Sequence, residues 1–333
     1  MKVSELLDRL DSPQEQTITT ILGDIEISDD ASTLSIYDQE FSMDQMAENA
    51  LANYLDISRS YLQKCPAELK ATNFRYWLDY KDNAQAVLEV ANGALVGVHR
   101  PDALLIPTSS VYQIVSRVFD GEDEIRDLRR DDRRLHLDVT THGHTITVPN
   151  PDGLTIRPEV GDVTAGGVRI LSSPNEAKAP SVSTFLYRLV CRNGMTTPEH
   201  QGTIRLKGHT VPDVLAEMET AAQQVLSGLD DKLRSYAEMA QRPIPGSNAT
   251  AFVYQIAREA NLGQRVVDRL VERANILPAE ATLYDVQQLF TEVANSGVSY
   301  STMTKLQTVG GELAFETERV LHRCSTCERI LPS

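Results

Sequence analysis

The hydrophobic period changes twice along this chain, and the order of the changes limits the folds open to it. From Ser42 apolar residues recur three and four positions apart, as on one face of a helix. Between residues 86 and 208 they mostly alternate, as in strands, and from Thr210 the helical spacing returns. Strands grouped between helical regions are typical of an α+β fold. We predict an N-terminal helical cluster, a central mostly antiparallel β-sheet, and a long helix followed by a C-terminal helical region.

Local signals place the helix starts. Ser42-x-x-Gln45 is a capping-box pattern and predicts the first firm helix, whose apolar face includes Met43 and Met46. Thr210-x-x-Asp213 predicts the start of the long helix, and Thr282-x-x-Asp285 the start of a later one. A last helix is expected over residues 300–322, with Gly310-Gly311 as a weak point.

Strand signals fill the middle of the chain. Residues 86–98 read as a hairpin, because Asn92-Gly93 favours the positive φ angles of a tight turn. Residues 182–192 alternate most regularly and form the best predicted strand. Residues 122–134 are dense in both charge signs and predict a solvated helix or loop.

Three domains follow from these patterns. Residues 1–41 are acidic and have no sustained period, which predicts an arm or loosely packed lead-in. Residues 42–242 form the α+β core domain. Residues 243–333 form a C-terminal helical domain with a CxxC tail, because the run Pro243-Ile244-Pro245-Gly246 interrupts the helical pattern.

Charge is distributed unevenly over the 333 residues, whose net charge is −15. Residues 1–85 carry a net of −9, residues 86–210 a net of −1 and residues 211–333 a net of −5. The total argues against nucleic acid, since phosphate binding requires a basic footprint. In the middle segment, however, 12 of 14 basic residues are arginine, so a basic face can exist there. The alternative is a solvated surface of mixed charge.

The sequence predicts a soluble protein that remains in the cytoplasm of the cell that makes it, with no membrane partner. The first residues contain no apolar signal-peptide core, and no apolar run approaches the roughly 18 residues that a membrane span requires. The four cysteines, Cys65, Cys191, Cys324 and Cys327, are too few for a disulfide framework and are expected to be thiols or metal ligands.

Common catalytic motifs are absent from the sequence. It contains no GxxxxGK[ST], GxGxxG after a strand, GxSxG, HExxH or EF-hand loop. This argues against an ATPase, a Rossmann dehydrogenase, an α/β-hydrolase and a common zinc protease, and favours a non-enzymatic protein. A site assembled from scattered residues stays open, because spatial triads leave no local pattern.

Two segments contain residues that bind metals. In the tail, the thiolates of Cys324 and Cys327 can both reach one metal ion, and His322 can add a third ligand. Zinc takes four ligands, however, and the sequence contains no second CxxC. The tail is therefore a zinc site completed from elsewhere, a redox pair or an inert tail. His142-Gly143-His144 is a weaker candidate, and a polar turn is its ordinary interpretation.

Five cations fall on or beside three predicted strands and form the candidate nucleic-acid-binding set. If these strands are neighbours, the sheet presents several cations on one side and apolar residues on the other. Arginine suits this role because its fork binds phosphate oxygens and its plane stacks on bases. The alternative is an ordinary solvent-facing side of a sheet. The set is Arg169, Arg188, Arg192, Arg205 and Lys207.

The same strands carry a family resemblance. The stretches 161–163, 167–170 and 185–195, the last containing Leu189-Val190-Cys191-Arg192-Asn193-Gly194-Met195, resemble the central signature of the phage/plasmid-like protein family, catalogued as domain of unknown function 932. Residues between Ala47 and Leu78 are similar to its N-terminal helices, so the resemblance covers roughly residues 40–240. It implies a mobile genetic element and no settled activity. By fold-level analogy, the core is similar to phage single-strand annealing proteins, which form rings and bind DNA along a basic groove.

Three functions remain from the sequence. The first is a phage- or plasmid-encoded, non-enzymatic protein that binds or anneals single-stranded nucleic acid in recombination, as a homo-oligomer. The second is a factor that binds a host or phage protein for host takeover, anti-defence or assembly, through the acidic arm and the C-terminal helices. The third is a metal-dependent enzyme of uncatalogued type.

Overall fold

In the part of the chain that the structure describes, the strands form two six-stranded, mostly antiparallel sheets, and the α+β class is confirmed. The computed structural model describes residues 1–8, 15–130, 135–148, 162–172, 179–189, 193–196, 203–245 and 248–316. None of the helices in these ranges has the length and apolarity to span a bilayer.

The N-terminal sheet has the strand order β1-β5-β6-β4-β3-β2. Helices α2 and α4 cover it, and Leu34, Leu51, Phe74 and Leu88 are fully buried between helices and sheet. Its elements are β1 (Glu15–Ile21), β2 (Ile25–Ile27), β3 (Thr33–Ile36), β4 (Gln39–Ser42), α2 (Gln45–Tyr54), α3 (Arg59–Leu62), α4 (Ala67–Tyr80), β5 (Gln85–Ala91) and β6 (Ala94–His99).

The prediction of an acidic arm over residues 1–41 is wrong. β1 to β4 all belong to the N-terminal sheet, and Leu6 of the short helix α1 (Ser4–Asp8) is fully buried in the cluster that contains helix α5. The strands escaped detection because β2 to β4 are only three or four residues long, too short for an alternating pattern to stand out. β1 is an edge strand whose exposed positions are polar except for Ile21 at its end.

The central sheet has the order β11-β10-β9-β8-β7, with β12 also paired to β10. Helices α5 and α6 cover one of its faces around Leu137, Val168, Ile170 and Val182, which form one buried cluster with Met218. The elements are α5 (Thr108–Val118), β7 (Glu124–Arg130), β8 (Leu135–Val148), β9 (Asp162–Ser172), β10 (Ser181–Arg188), β11 (Asn193–Thr196), β12 (Thr203–Arg205) and α6 (Val211–Ser227).

The C-terminal helices form the third packed region. They share one apolar cluster with Val148 and Leu186 of the central sheet and with Tyr236 of α7, so residue 243 is no break in packing. The helices are α7 (Leu229–Glu238), α8 (Ala249–Glu259), α9 (Gln264–Ala274), α10 (Leu283–Ala294) and α11 (Tyr300–Phe315).

Several local signals are confirmed. β5 and β6 pair as a hairpin, and Asn92 and Gly93 have φ angles of 53° and 75°, as a tight primed turn requires. The Thr210 side chain accepts a hydrogen bond from the backbone N–H of Asp213 at the start of α6. Thr282 and Asp285 form the reciprocal capping box of α10.

Other local predictions are wrong. Ser42 belongs to β4, and α2 is capped by Asp44, whose carboxylate accepts from two backbone N–H groups at 2.8 and 2.9 Å. Charge-dense residues 124–130 form strand β7, because Ile125 and Leu128 turn toward the core. Gly310 lies inside the continuous α11, where a Cβ would meet Gln287 of α10 at 3.2 Å, so the glycine permits close helix packing.

Gly167 of β9 provides a test of the central-sheet geometry. A Cβ built there would lie 1.9 Å from the carbonyl oxygen of Val139 and 2.7 Å from Cα of Thr140, both backbone atoms of β8. We expect Gly167→Ala to lower the free energy of unfolding by about 3 kcal/mol, because the two strands must separate to admit the methyl group. Urea unfolding followed by circular dichroism measures the change.

The matched control is Gly143→Ala at the bulged part of β8, where the nearest atom to the added Cβ is 3.7 Å away. This substitution should leave the unfolding free energy within about 0.5 kcal/mol of the starting value. Equal effects of the two substitutions would contradict the close approach of β8 and β9.

Candidate nucleic-acid interface

The central sheet has a second face, opposite α6, whose side chains are mainly polar. The strand register and the alternation of side chains show which residues belong to this face. One cross-strand row runs through all five neighbouring strands β7, β8, β9, β10 and β12, and spans about 19 Å at ordinary strand spacing. We call this the polar face. The row is Arg129, His136, Leu171, Ser181 and Arg205.

The next row of the polar face contains a buried ion pair. Asp138 of β8 lies opposite Arg169 of β9, and two guanidinium nitrogens of Arg169 donate to the two carboxylate oxygens, both at 2.6 Å. Arg169 is 4% exposed and Asp138 3%. Arg169 also donates to the side-chain oxygen of Gln307 on α11 at 3.1 Å. The geometry is bidentate, the strongest form of this pairing.

Two arginines flank a pair of aromatic rings on this face. The Arg169 guanidinium lies 5.1 Å from the ring centroid of Phe185, whose ring lies 6.0 Å from that of Tyr187. The Arg126 guanidinium lies 4.7 Å from the Tyr187 centroid. Arg126 is fixed by a 2.9 Å hydrogen bond to the Thr140 hydroxyl and by an ion pair with Glu124. The series Arg126–Tyr187–Phe185–Arg169 is called the cation–aromatic ladder below.

The ladder runs from the interior toward solvent. Phe185 is buried, whereas Tyr187 is half-buried and Arg126 retains part of its surface. Its inner end is neutralised by Asp138, so the part able to meet a ligand is Tyr187 with Arg126. A planar guanidinium over a tyrosine ring is a surface on which another flat, electron-rich ring can stack.

Of the five predicted cations, two are exposed, two are buried and one lies outside the described residues. Arg205 and Lys207 are exposed at the β12 side, and the backbone N–H of Lys207 donates to Glu217 of α6 at 2.7 Å. Arg192 lies outside the described residues. For Arg169 and Arg188 the prediction of an exposed cationic face is wrong, because both are buried.

Arg188 also lies on the other side of the sheet from Arg169. It pairs with Thr164 of β9 and donates to the side-chain oxygen of Gln288 on α10 at 2.7 Å. Gln288 in turn donates to the Tyr236 hydroxyl at 2.9 Å. Arg188 is buried because the C-terminal helices cover this end of the sheet. The alternating pattern of the strand gives no indication that helices later in the chain will cover it.

Sequence reasoning missed the outer ladder. Alternation along β10 puts Tyr187 and Arg188 on opposite faces, and the register places Tyr187 on the face of Arg169 and Arg205. Arg126 and Arg129 stood in a segment predicted to be a helix or loop. The available signal was Ile125 and Leu128, two apolar residues within the charged run.

The metal candidates have separate outcomes. His322, Cys324 and Cys327 lie outside the described residues, so zinc at the tail stays a prediction. His142 and His144 face different carboxylates, with Nδ1 of His142 3.5 Å from Asp123 and Nδ1 of His144 2.7 Å from Asp230. Within the described ranges, no three His, Cys, Asp or Glu side chains gather as a metal-holding group.

No family model, curated protein or solved structure matches the chain. The resemblance to the phage/plasmid-like family stays a prediction from the residues quoted above.

The Asp138–Arg169 pair is expected to be essential to stability. Asp138→Ala leaves Arg169 buried beside Phe185 without its carboxylate, and should lower the free energy of unfolding by about 3–5 kcal/mol. Urea titration followed by circular dichroism measures the loss.

The paired substitution Asp138→Leu with Arg169→Met removes both charges and keeps similar volumes. It should recover most of the lost stability, because the main cost in the single variant is a buried charge without its partner. If the double variant is as unstable as Asp138→Ala, the ion pair is not the source of the effect.

Proposed function

We propose that this is a non-enzymatic nucleic-acid-binding protein that holds a single strand along the exposed rim of the polar face of its central sheet. The middle of that face, including His136, Asp138 and Ser181, is buried and makes no contact with the strand. The observation that carries the proposal is the outer part of the cation–aromatic ladder, Arg126 over Tyr187, on the same face as Arg129 and Arg205. Proteins that bind single strands combine aromatic stacking surfaces with cations that follow the phosphates.

Each group has a defined role in this proposal. Tyr187 and Arg126 supply the planar stack for one base, since every base has a ring face and the contact is independent of sequence. Arg205 and Lys207 contact phosphates on the β12 side, and Arg129 does so on the β7 side. Arg169 positions Phe185 under Tyr187 and does not itself reach the phosphates.

Acidic neighbours limit the affinity. Arg126 pairs with Glu124, and Arg129 binds Asp127 through contacts of 2.6–2.8 Å. A phosphate must compete with these carboxylates, so binding gains less per contact than at a bare basic groove. With about three phosphate contacts, the logarithm of the association constant should fall with the logarithm of salt at a slope of roughly −2.

The proposed context is phage or plasmid DNA metabolism in the cytoplasm of the host cell, with single-strand annealing as the specific activity. A homo-oligomer fits this role, because repeated sites along one strand add their binding energies. The family resemblance and the strand-rich core followed by the long helix α6 support this context by analogy.

Fluorescence anisotropy of a labelled single-stranded oligonucleotide tests the proposal at low and at physiological salt. Tyr187→Ala should weaken binding by about tenfold, the value of one lost stacking contact, while Tyr187→Phe retains the ring and most of the affinity. Tyr254→Ala, at an exposed tyrosine of α8, is the control and should change nothing.

The phosphate contacts have their own variants. Arg205→Ala with Lys207→Ala should weaken binding and bring the salt slope closer to zero by roughly 1.4, since each phosphate contact to a single strand contributes about 0.7. Arg258→Ala with Arg265→Ala removes the same charge from exposed positions on α8 and α9 and should leave the slope unchanged. Absence of binding at both salt concentrations, or equal effects of the two double variants, would exclude the polar face as the nucleic-acid site.

A further inference from the structure

Helix α4 exposes an aromatic surface on the N-terminal sheet domain, away from the polar face. Leu69, Asn73, Tyr76 and Tyr80 follow one another at helical spacing along the same face of the helix. Tyr76 is 60% exposed and Tyr80 69%. Tyr61 of α3 adjoins this face, since its hydroxyl accepts a 3.4 Å hydrogen bond from the Asn73 amide. Together with Trp77, these residues are called the α4 surface.

Three rings of the α4 surface form an ordered array. Tyr76 and Tyr80 stack with centroids 6.3 Å apart and planes 10° from parallel. Trp77 stands edge-on to both, at 5.5 Å from each, with interplanar angles of 87° and 83°. Trp77 is half-buried and packs against the core of the N-terminal sheet. The rings hold one another in place, so a ligand meets a preformed surface.

The charges around α4 indicate the kind of partner. Its cations already have carboxylate partners: Lys70 with Glu48 at 2.7 Å, Arg75 with Asp29 at 2.7 Å and Lys81 with Asp56 at 2.9 Å. Exposed carboxylates remain on or just beyond the helix at Glu68, Asp79 and Asp82.

The whole N-terminal sheet domain has the same sign. Residues 15–100 contain 6 Lys/Arg and 14 Asp/Glu, a net charge of −8. A polyanion is repelled by such a surface, and a second copy meeting it face to face would bring two acidic domains together. A cationic partner is attracted.

We propose that the α4 surface docks a basic, arginine-bearing polypeptide segment of another protein. Guanidinium groups would lie over the open ring faces of Tyr76 and Tyr80, where cation–π attraction adds to stacking. Asp79 and Asp82 pair with further cations of the segment. Clustered exposed rings with a surrounding charged rim are the usual make-up of a protein-binding surface.

Trp77 allows a direct measurement, because it is the sole tryptophan of the chain. The full-length protein is titrated with synthetic peptides of alternating arginine and glycine, lysine and glycine, or glutamate and glycine. The arginine peptide should change Trp77 emission saturably, the lysine peptide should bind more weakly, and the glutamate peptide should not bind. Labelled-peptide anisotropy gives the affinities independently of the tryptophan signal.

Two sets of variants locate the contact. Tyr76→Ala with Tyr80→Ala should lower the affinity for the arginine peptide about tenfold. The separate double variant Asp79→Lys with Asp82→Lys should also lower the affinity, and the loss should be larger at low salt than at high salt. Tyr254→Ala, also at an exposed helical tyrosine, should have no effect. Unfolding curves confirm that the variants remain folded.

Three results would overturn the proposal. The first is equal binding of the glutamate peptide. The second is a change in Trp77 emission on addition of single-stranded DNA that is lost in the Tyr76→Ala, Tyr80→Ala double variant. That result would make the α4 surface a nucleic-acid-binding surface. The third is self-association in sedimentation that the same double variant abolishes, which would assign the surface to a second copy. None of these depends on the polar face, because Tyr187 is intact in every variant.

Discussion

The ion pair between Asp138 and Arg169 fixes the register on which the central sheet depends. The two residues lie directly opposite each other on β8 and β9, and both are almost fully buried. A slip of one residue would transfer each charge to the apolar face under α6 and place Val139 and Val168 on the polar face. Since a buried charge without its partner costs several kcal/mol, neighbouring registers are strongly disfavoured.

The two faces of the sheet acquire their roles from this register. On one face, Leu137, Ile170 and Val182 align across three strands and bury against α6. On the other face, the same alignment brings Arg169 beside Phe185, and Phe185 beside Tyr187. The interaction that stabilises the sheet is therefore also the inner end of the cation–aromatic ladder. An exposed site that rests on a buried, fixed residue is held more precisely than one built on a loop.

The sequence predicts features that are decided within a few residues. The Asn92-Gly93 turn and the caps at Thr210 and Thr282 depend only on local backbone and side-chain chemistry, and all three are present. Strand β1 depends on β5, a partner far along the chain. Strands β2 to β4 and β7 pair with neighbours in sequence, but they are too short or too rich in charge for an alternating pattern to indicate pairing. The α+β class was predictable because it requires only the hydrophobic period, whereas the strands at residues 15–42 and the pairing of the 86–98 hairpin with them in one sheet were not.

The candidate site divides along the same line. Alternation correctly separates Tyr187 from Arg188, but it cannot say which face a later helix will cover. The C-terminal helices bury Arg188, and Gln307 of α11 reaches Arg169, so two of the cations expected on a solvent-facing surface have internal roles. Exposure is a tertiary property: Arg205, near the end of the sheet, remains exposed, whereas Arg188 is covered by the C-terminal helices.

Charge asymmetry connects the two proposed surfaces. The N-terminal sheet domain, at −8, repels a nucleic-acid strand, while residues 86–210 are near neutral and rich in arginine. In the two proposals, a nucleic-acid strand binds at the central sheet and the acidic domain stays accessible to a cationic protein. Because the α4 surface and the polar face belong to different sheets, occupation of one does not require the other to be vacant. A protein with this division can hold a nucleic-acid strand and a basic protein at the same time, which a single basic groove cannot do.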